Sequence, residues 1–152
     1  MARNNFVFEY GEISEDIYYD LLKRDGKSTP YLRMHLVVSR TPDAPPLRGL
    51  RVCVYGSDAI WIQAGVYKGS RIAVMGHIQR RVHEGKNIFE IVAEDVQLLH
   101  NVNWEAAMEA RKGLVDKGYL LPWSESVTGI SPDVFYANQH LSNDPEFTEG
   151  QA

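Results

Sequence analysis

Cysteine is nearly absent from this chain of 152 residues. With Cys53 alone, an internal disulfide framework and a Cys-rich zinc site are both excluded. No apolar run approaches the ~20 residues needed to cross a bilayer. The opening MARNNFVFEYGE holds one early Arg and no run of signal-peptide length. The expectation is a soluble, cytoplasmic chain in a reducing compartment. Gly-rich phosphate loops are missing, and the five histidines are scattered without metal-ligand spacing. Glu94 and Asp95 are adjacent, so on a strand they point to opposite faces and form no acid–base pair. No enzyme, metal or cofactor is therefore expected.

An excess of positive charge is missing as well, since the net charge is −4. The distribution is more informative than the total. Residues 1–103 hold 13 Lys/Arg and 12 Asp/Glu, a balance of +1, and residues 104–152 hold 3 and 8, a balance of −5. The acidity sits in the last third, so any surface for a polyanion has to be local.

What the chain does contain is strand periodicity. NFVFEYGEI alternates bulky residues as far as Gly11, which reads as a bulge or coil in a long first strand continued by IYYDLLK. Phe6, Phe8 and Tyr10 share one face of that strand and fit either a core or an interface. Asp25-Gly26 supplies a turn. In YLRMHLVVSR, Leu32, Met34, Leu36 and Val38 share one face, with Tyr31, Arg33, His35 and Val37 opposite. TPDAPPLRG breaks regular structure through its prolines. LRVCVYG then puts Leu50, Val52 and Val54 on one face and Arg51, Cys53 and Tyr55 on the other.

SDAIWIQAGVYKG reads as a short helix capped by Ser57 or Asp58 and ended by Gly69. A hairpin follows, turning at Glu84–Asn87. In its first arm Ile72, Val74 and Ile78 face one way, while Arg71, Met75, His77, Gln79, Arg81 and His83 face the other. Asn103 caps a further helix, WEAAMEARK, stopped by Gly113. Trp104, Ala107 and Met108 are expected to dock on the strands. The remainder reads as an extended or disordered acidic tail, although Leu120, Leu121 and Trp123 are apolar enough to pack back.

Three strands, a helix and a two-strand hairpin form the order of a five-stranded Greek-key barrel of the OB-fold class, all-β with minor α. The expected division is an OB-fold domain over 1–103 and a helix with acidic tail over 104–152. Single-strand binders combine a cationic groove with exposed aromatic faces. The outward strand faces supply Arg33, His35, Arg51, Tyr55, Arg71, Arg81 and His83, each out of phase with the apolar residues.

Several short motifs fall in a particular order. Gly11, Ile13 and Asp16 fit a Gly-x-Leu-x-x-Asp pattern, and Ser39-Arg40 ends the second strand. Tyr55-Gly56 follows the third strand, and Lys68-Gly69-Ser70 follows the helix. The run Gly76 to Arg81 is a basic arm, and Val96 to Leu99 closes the last strand. From Asn5 to Asn101 the chain resembles the bacterial and mitochondrial single-stranded DNA-binding protein family.

That resemblance implies sequence-tolerant binding of single-stranded DNA in replication, repair or recombination, in a nucleoid-associated protein. It also implies assembly through the first strand into homodimers or homotetramers. Tyr55 matches a base-stacking aromatic, and Arg51 and Arg81 match basic positions beside the DNA. His83 falls where a stacking tryptophan is common. Two further tryptophan positions carry Gly49 and a residue near Pro42, so either Tyr31, Tyr18 or Tyr19 substitutes or the chain is a weak or specialised member. The hairpin turn is also shorter than is usual in the family. Asn143-Asp144-Pro145-Glu146-Phe147 resembles the family's partner-recruiting acidic tail, but Thr148 to Ala152 follow it. A protein-interaction scaffold of a primosome-like or recombination complex, and an RNA-binding OB protein, fit the same residues.

Overall fold

The computed structural model describes residues 5–39, 41–99 and 102–122. Arg40, Asn101, Trp123 and the acidic tail with Asn143–Phe147 lie outside the described residues. The elements are β1 (Val7–Ile13), β2 (Tyr18–Arg24), β3 (Lys27–Val38), β4 (Leu47–Tyr55), α1 (Ser57–Gly65), β5 (Arg71–His83), β6 (Lys86–Leu98) and α2 (Trp104–Asp116).

The sheet order is β1-β5-β6-β4-β3-β2, and β1 also pairs with β3, which closes the sheet into a barrel. All pairings are antiparallel except β4 with β6, where Val52 meets Ile91 and Cys53 meets Val92. β1 and β2 are two halves of the first strand, so the architecture is the five-stranded OB-fold.

The break in that first strand is not at Gly11. β1 runs through Gly11 to Ile13, and the chain leaves the ladder between Ser14 and Ile17. Gly11 serves a close approach instead, because a Cβ there would collide with the Val37 carbonyl oxygen. Both hairpins turn in two residues with left-handed backbone. Asp25 (φ 50°) and Gly26 (φ 77°) join β2 to β3, and Glu84 (φ 50°) and Gly85 (φ 75°) join β5 to β6. Lys86 and Asn87 already belong to β6, so the second turn is shorter than its composition indicates. β4 likewise starts earlier, at Leu47.

The barrel core holds Leu32, Met34, Leu36 and Val38 from β3, Val52 and Val54 from β4, and Ile72 and Val74 from β5. Ile78 does not join them although it shares their face, being 46% exposed. The β5–β6 ribbon extends past the barrel at that point, leaving Ile78, Val82 and Phe89 uncovered.

α1 has Gly56 as its N-cap, with no side-chain cap bond from Ser57 or Asp58, and it ends at Gly65 rather than Gly69. Gly65 lets α2 approach, since a Cβ there would lie 3.0 Å from Trp104 Cη2. The Asn103 side chain accepts a hydrogen bond from the Ala106 N–H at 3.1 Å. α2 passes through Gly113 to Asp116, and Gly118 (φ 78°) turns the chain after it. Leu114 and Leu120 are buried with the barrel core. The Tyr19 N–H donates to the Tyr119 carbonyl and the Leu121 N–H to the Tyr19 carbonyl. The segment after α2 thereby covers part of the β2 edge. No described helix is long and apolar enough to cross a membrane.

Candidate nucleic-acid interface

Strand register places the site. Across β2, β3 and β4, Tyr31 is opposite both Asp20 and Tyr55, and Arg33 is opposite both Tyr18 and Cys53. Cross-strand partners share a face, so Tyr18, Tyr31, Arg33, Cys53 and Tyr55 all point out of the barrel on one side. The β5–β6 ribbon stands beside them, with Gln79 opposite Glu90 and Arg81 opposite Ile88. Between the two surfaces runs a groove of about 900 Å³, lined by Lys23, Arg24, Arg80 and His83 among others.

Three tyrosines form a row in that groove. The Tyr31 ring centroid lies 6.4 Å from that of Tyr18, edge-on, and 5.1 Å from that of Tyr55, tilted by 48°. The Arg33 guanidinium carbon sits 4.7 Å from the Tyr18 ring centroid, within cation–π range. Tyr18 is anchored by a 2.8 Å hydrogen bond from its hydroxyl to Asp20 Oδ2, which is the main cause of its raised pKa. Tyr31 is buried at the centre of the row, with its hydroxyl 3.3 Å from Cys53 Sγ. Burial and then that contact push its pKa up to about 12. Tyr55 is 39% exposed. Tyr55 and Tyr18 therefore offer ring surface to a ligand, whereas Tyr31 supports them from beneath. Tyr19, the third candidate substitute, faces the core and is buried.

Beneath the groove lies an anion. Glu90 is completely covered, 3.1 Å from Arg51 Nε and 3.8 Å from Arg81 Nε. Gln79 Nε2 donates to it at 2.9 Å and Cys53 Sγ at 3.2 Å. Burial alone would raise its pKa, but the hydrogen bonds from Gln79 and Cys53, with the charges of Arg81 and Arg51, hold it below the ordinary 4.5. His35, opposite Arg51 on the neighbouring strand, does not line the groove; it lies 3.6 Å from Glu15, and its burial lowers its pKa against the pull of that carboxylate.

Of the residues singled out from the sequence, Tyr31, Arg33, Arg51, Tyr55, Arg81 and His83 all line this groove. Arg71 does not. It lines a separate cavity of about 550 Å³ with Tyr10, Glu12, Ser39 and Arg48. Arg71 and Arg81 share a face of β5, but ten residues of strand separate them and carry Arg71 to the other end of the barrel. Sequence reasoning missed Lys23, Arg24, Arg80 and Glu90. The first two precede a turn and read as solvated charges. Arg80 is out of phase with Arg81 and nevertheless lines the groove. Nothing local marks Glu90.

The outer face of β1 is a second exposed feature. Phe6, Phe8 and Tyr10 are 65%, 56% and 63% exposed, so they belong to the surface and not to the core. Phe8 is opposite Met75 and Tyr10 opposite Ala73 on β5.

No protein-family model and no curated protein sequence matches the chain. Solved structures do. The N-terminal domain of PriB protein from Thermoanaerobacter tencongensis, described as dimeric, is 16% identical with a TM-score of 0.50; the match covers 64% of this chain and 99% of that one. The single-stranded DNA binding protein from Thermus aquaticus matches in a deletion mutant (20% identity, TM-score 0.51) and in wild type (20%, 0.50). Those two matches cover 63% of this chain but only 41% and 40% of theirs. At this identity the likeness is one of fold, and it agrees with the OB topology read from the strand order.

Proposed function

We propose that this chain binds single-stranded DNA along the groove between β2–β4 and the β5–β6 ribbon, in a sequence-tolerant manner and without altering it chemically. The observation that carries the reading is the Tyr18–Tyr31–Tyr55 row, bordered by Lys23, Arg24, Arg33 and Arg80. Aromatic faces stack on any base and cations neutralise phosphates, which together require no base-specific readout. Tyr55 and Tyr18 take the role of stacking platforms, and His83 lies near the end of the strand path. The fold shared with the Thermus aquaticus single-stranded DNA binding protein supports the assignment. A place in replication, repair or recombination, and in the nucleoid, follows from that chemistry.

The exposed Phe6, Phe8 and Tyr10 favour self-association into a homodimer or homotetramer through β1. A continuous apolar strand face is otherwise costly in water. The acidic tail, outside the described residues, is assigned to contacts with replication or repair proteins.

Fluorescence titration with an oligothymidine tests the main reading. About four phosphate contacts give a slope of log K against log salt near −3. Absence of binding at low salt overturns it. Tighter binding of a matched RNA strand replaces DNA with RNA as the ligand, since 2′-hydroxyl contacts leave no mark in the sequence.

A further inference from the structure

A cationic groove with a carboxylate sealed beneath its centre is an unusual way to attract a polyanion. Glu90 has no exposed side-chain surface, while Arg51 is 18% and Arg81 40% exposed at the side chain. Both guanidiniums thus lie between the buried anion and the open groove. Neither Nε makes an aligned hydrogen bond, so the two contacts are ionic. The directional bonds to Glu90 come from Gln79 and Cys53. A buried carboxylate with those donors and two cations stays charged, because hydrogen bonds to the ionised form and the neighbouring positive charges offset its desolvation. From its place on β6, within the ribbon, it reaches Arg51 and Cys53 on β4 and Gln79 and Arg81 on β5. Of the remaining groove cations, Lys23, Arg24 and Arg80 are exposed along its rim and Arg33 is half-buried over the Tyr18 ring, none with a comparable counter-ion among the described contacts.

From this arrangement, and resting on the single-strand reading above, we infer that Glu90 is a positioning residue. It holds Arg51 and Arg81 from beneath and takes up their charge, so a bound strand lays its bases over the groove floor and its phosphates along the rim cations. Arg51 and Arg81 then act on bases, as planar donor-bearing surfaces, and the electrostatic part of binding comes from the rim.

The salt dependence of oligothymidine binding separates these roles, because its slope counts phosphate contacts and is blind to stacking. Wild type, Arg33→Gln, Arg51→Gln and Glu90→Gln are titrated over a range of salt. Arg33→Gln is expected to flatten the slope by about 0.7, the single-strand increment for one phosphate. Arg51→Gln is expected to weaken binding while changing the slope by less than half as much. Glu90→Gln is expected to steepen it by about 0.7 for each arginine released to a phosphate. A slope loss in Arg51→Gln equal to that in Arg33→Gln overturns the assignment, and so does a folded Glu90→Gln with the wild-type slope. If Glu90→Gln does not fold, the two arginine variants decide alone. Wild type that binds no oligonucleotide overturns the single-strand reading itself, whereas binding with the wrong slopes overturns only the role of Glu90.

Discussion

The rings of Tyr31 and Tyr55 meet at a centroid distance of 5.1 Å, yet one is buried and the other is 39% exposed. They are direct partners across β3 and β4. Tyr55 lies at the end of β4 and presents its ring to the groove, while Tyr31 is closed in by Tyr18, Tyr55 and Cys53. Replacing the exposed ring removes a stacking platform, and replacing the buried one removes its support.

Tyr55→Ala is expected to lose about 1–3 kcal/mol of oligonucleotide affinity with the melting temperature little changed, if Tyr55 stacks on a base. Titration followed by fluorescence, beside a thermal melt, checks both halves. Undiminished affinity in a well-folded variant removes Tyr55 from the site.

Tyr31 gives an alkaline signature. Its pKa rises from 10 in the unfolded chain to about 12 in the fold, so the neutral phenol is the favoured folded form. Its contribution to stability is complete below pH 10 and is lost as pH rises through about 12. The urea midpoint of wild type should therefore fall more steeply across that window than that of Tyr31→Phe. Parallel curves for the two proteins would contradict the buried, hydrogen-bonded phenol.

Phe8 tests self-association. Its side chain is 56% exposed, so Phe8→Glu leaves the barrel core intact. Light scattering is expected to show a dimer or larger species for wild type and a monomer for Phe8→Glu. A wild-type monomer at the same concentration would dismiss the β1 face as an interface.

The docking of α2 rests on Trp104, which packs over Gly65 with Ala64, Val102 and Ala107 nearby. Trp104→Ala is expected to cost about 3 kcal/mol through the cavity it leaves. Gly65→Ala is expected to cost about 1–3 kcal/mol, because its Cβ would press on the indole. Denaturant melts of the single variants and of the double variant check this. Since the methyl added at position 65 presses on the indole that Trp104→Ala removes, the double variant should be more stable than the sum of the singles predicts.

Much of the fold was legible because its causes are local. The alternation of Leu32, Met34, Leu36 and Val38 has the period of a strand, and those four residues do line the core. Asp25-Gly26 is a turn because both residues tolerate positive φ, Gly85 supplies the same freedom after Glu84, and Asn103 caps α2 because its short side chain reaches a free N–H. The exposed aromatic Tyr55 and the cations Arg33, Arg51 and Arg81 were legible in the same way, as residues out of phase with the apolar face.

Other features depended on which strands lie side by side once the barrel closes. Arg71 and Arg81 are equivalent by periodicity, yet strand length puts them at opposite ends of the molecule. Ile78 has the phase of a core residue and is exposed because the ribbon outruns the barrel. Glu90 meets Arg51 and Cys53 only through the parallel pairing of β4 with β6, across 37 residues of chain between Cys53 and Glu90. The sequence by itself determined the strands, the turns and the residue types facing outward, since each is set by a few neighbours along the chain. Tertiary structure alone decided which of those outward residues share one groove and which carry a counter-ion, because long-range register brings distant positions together without any local mark.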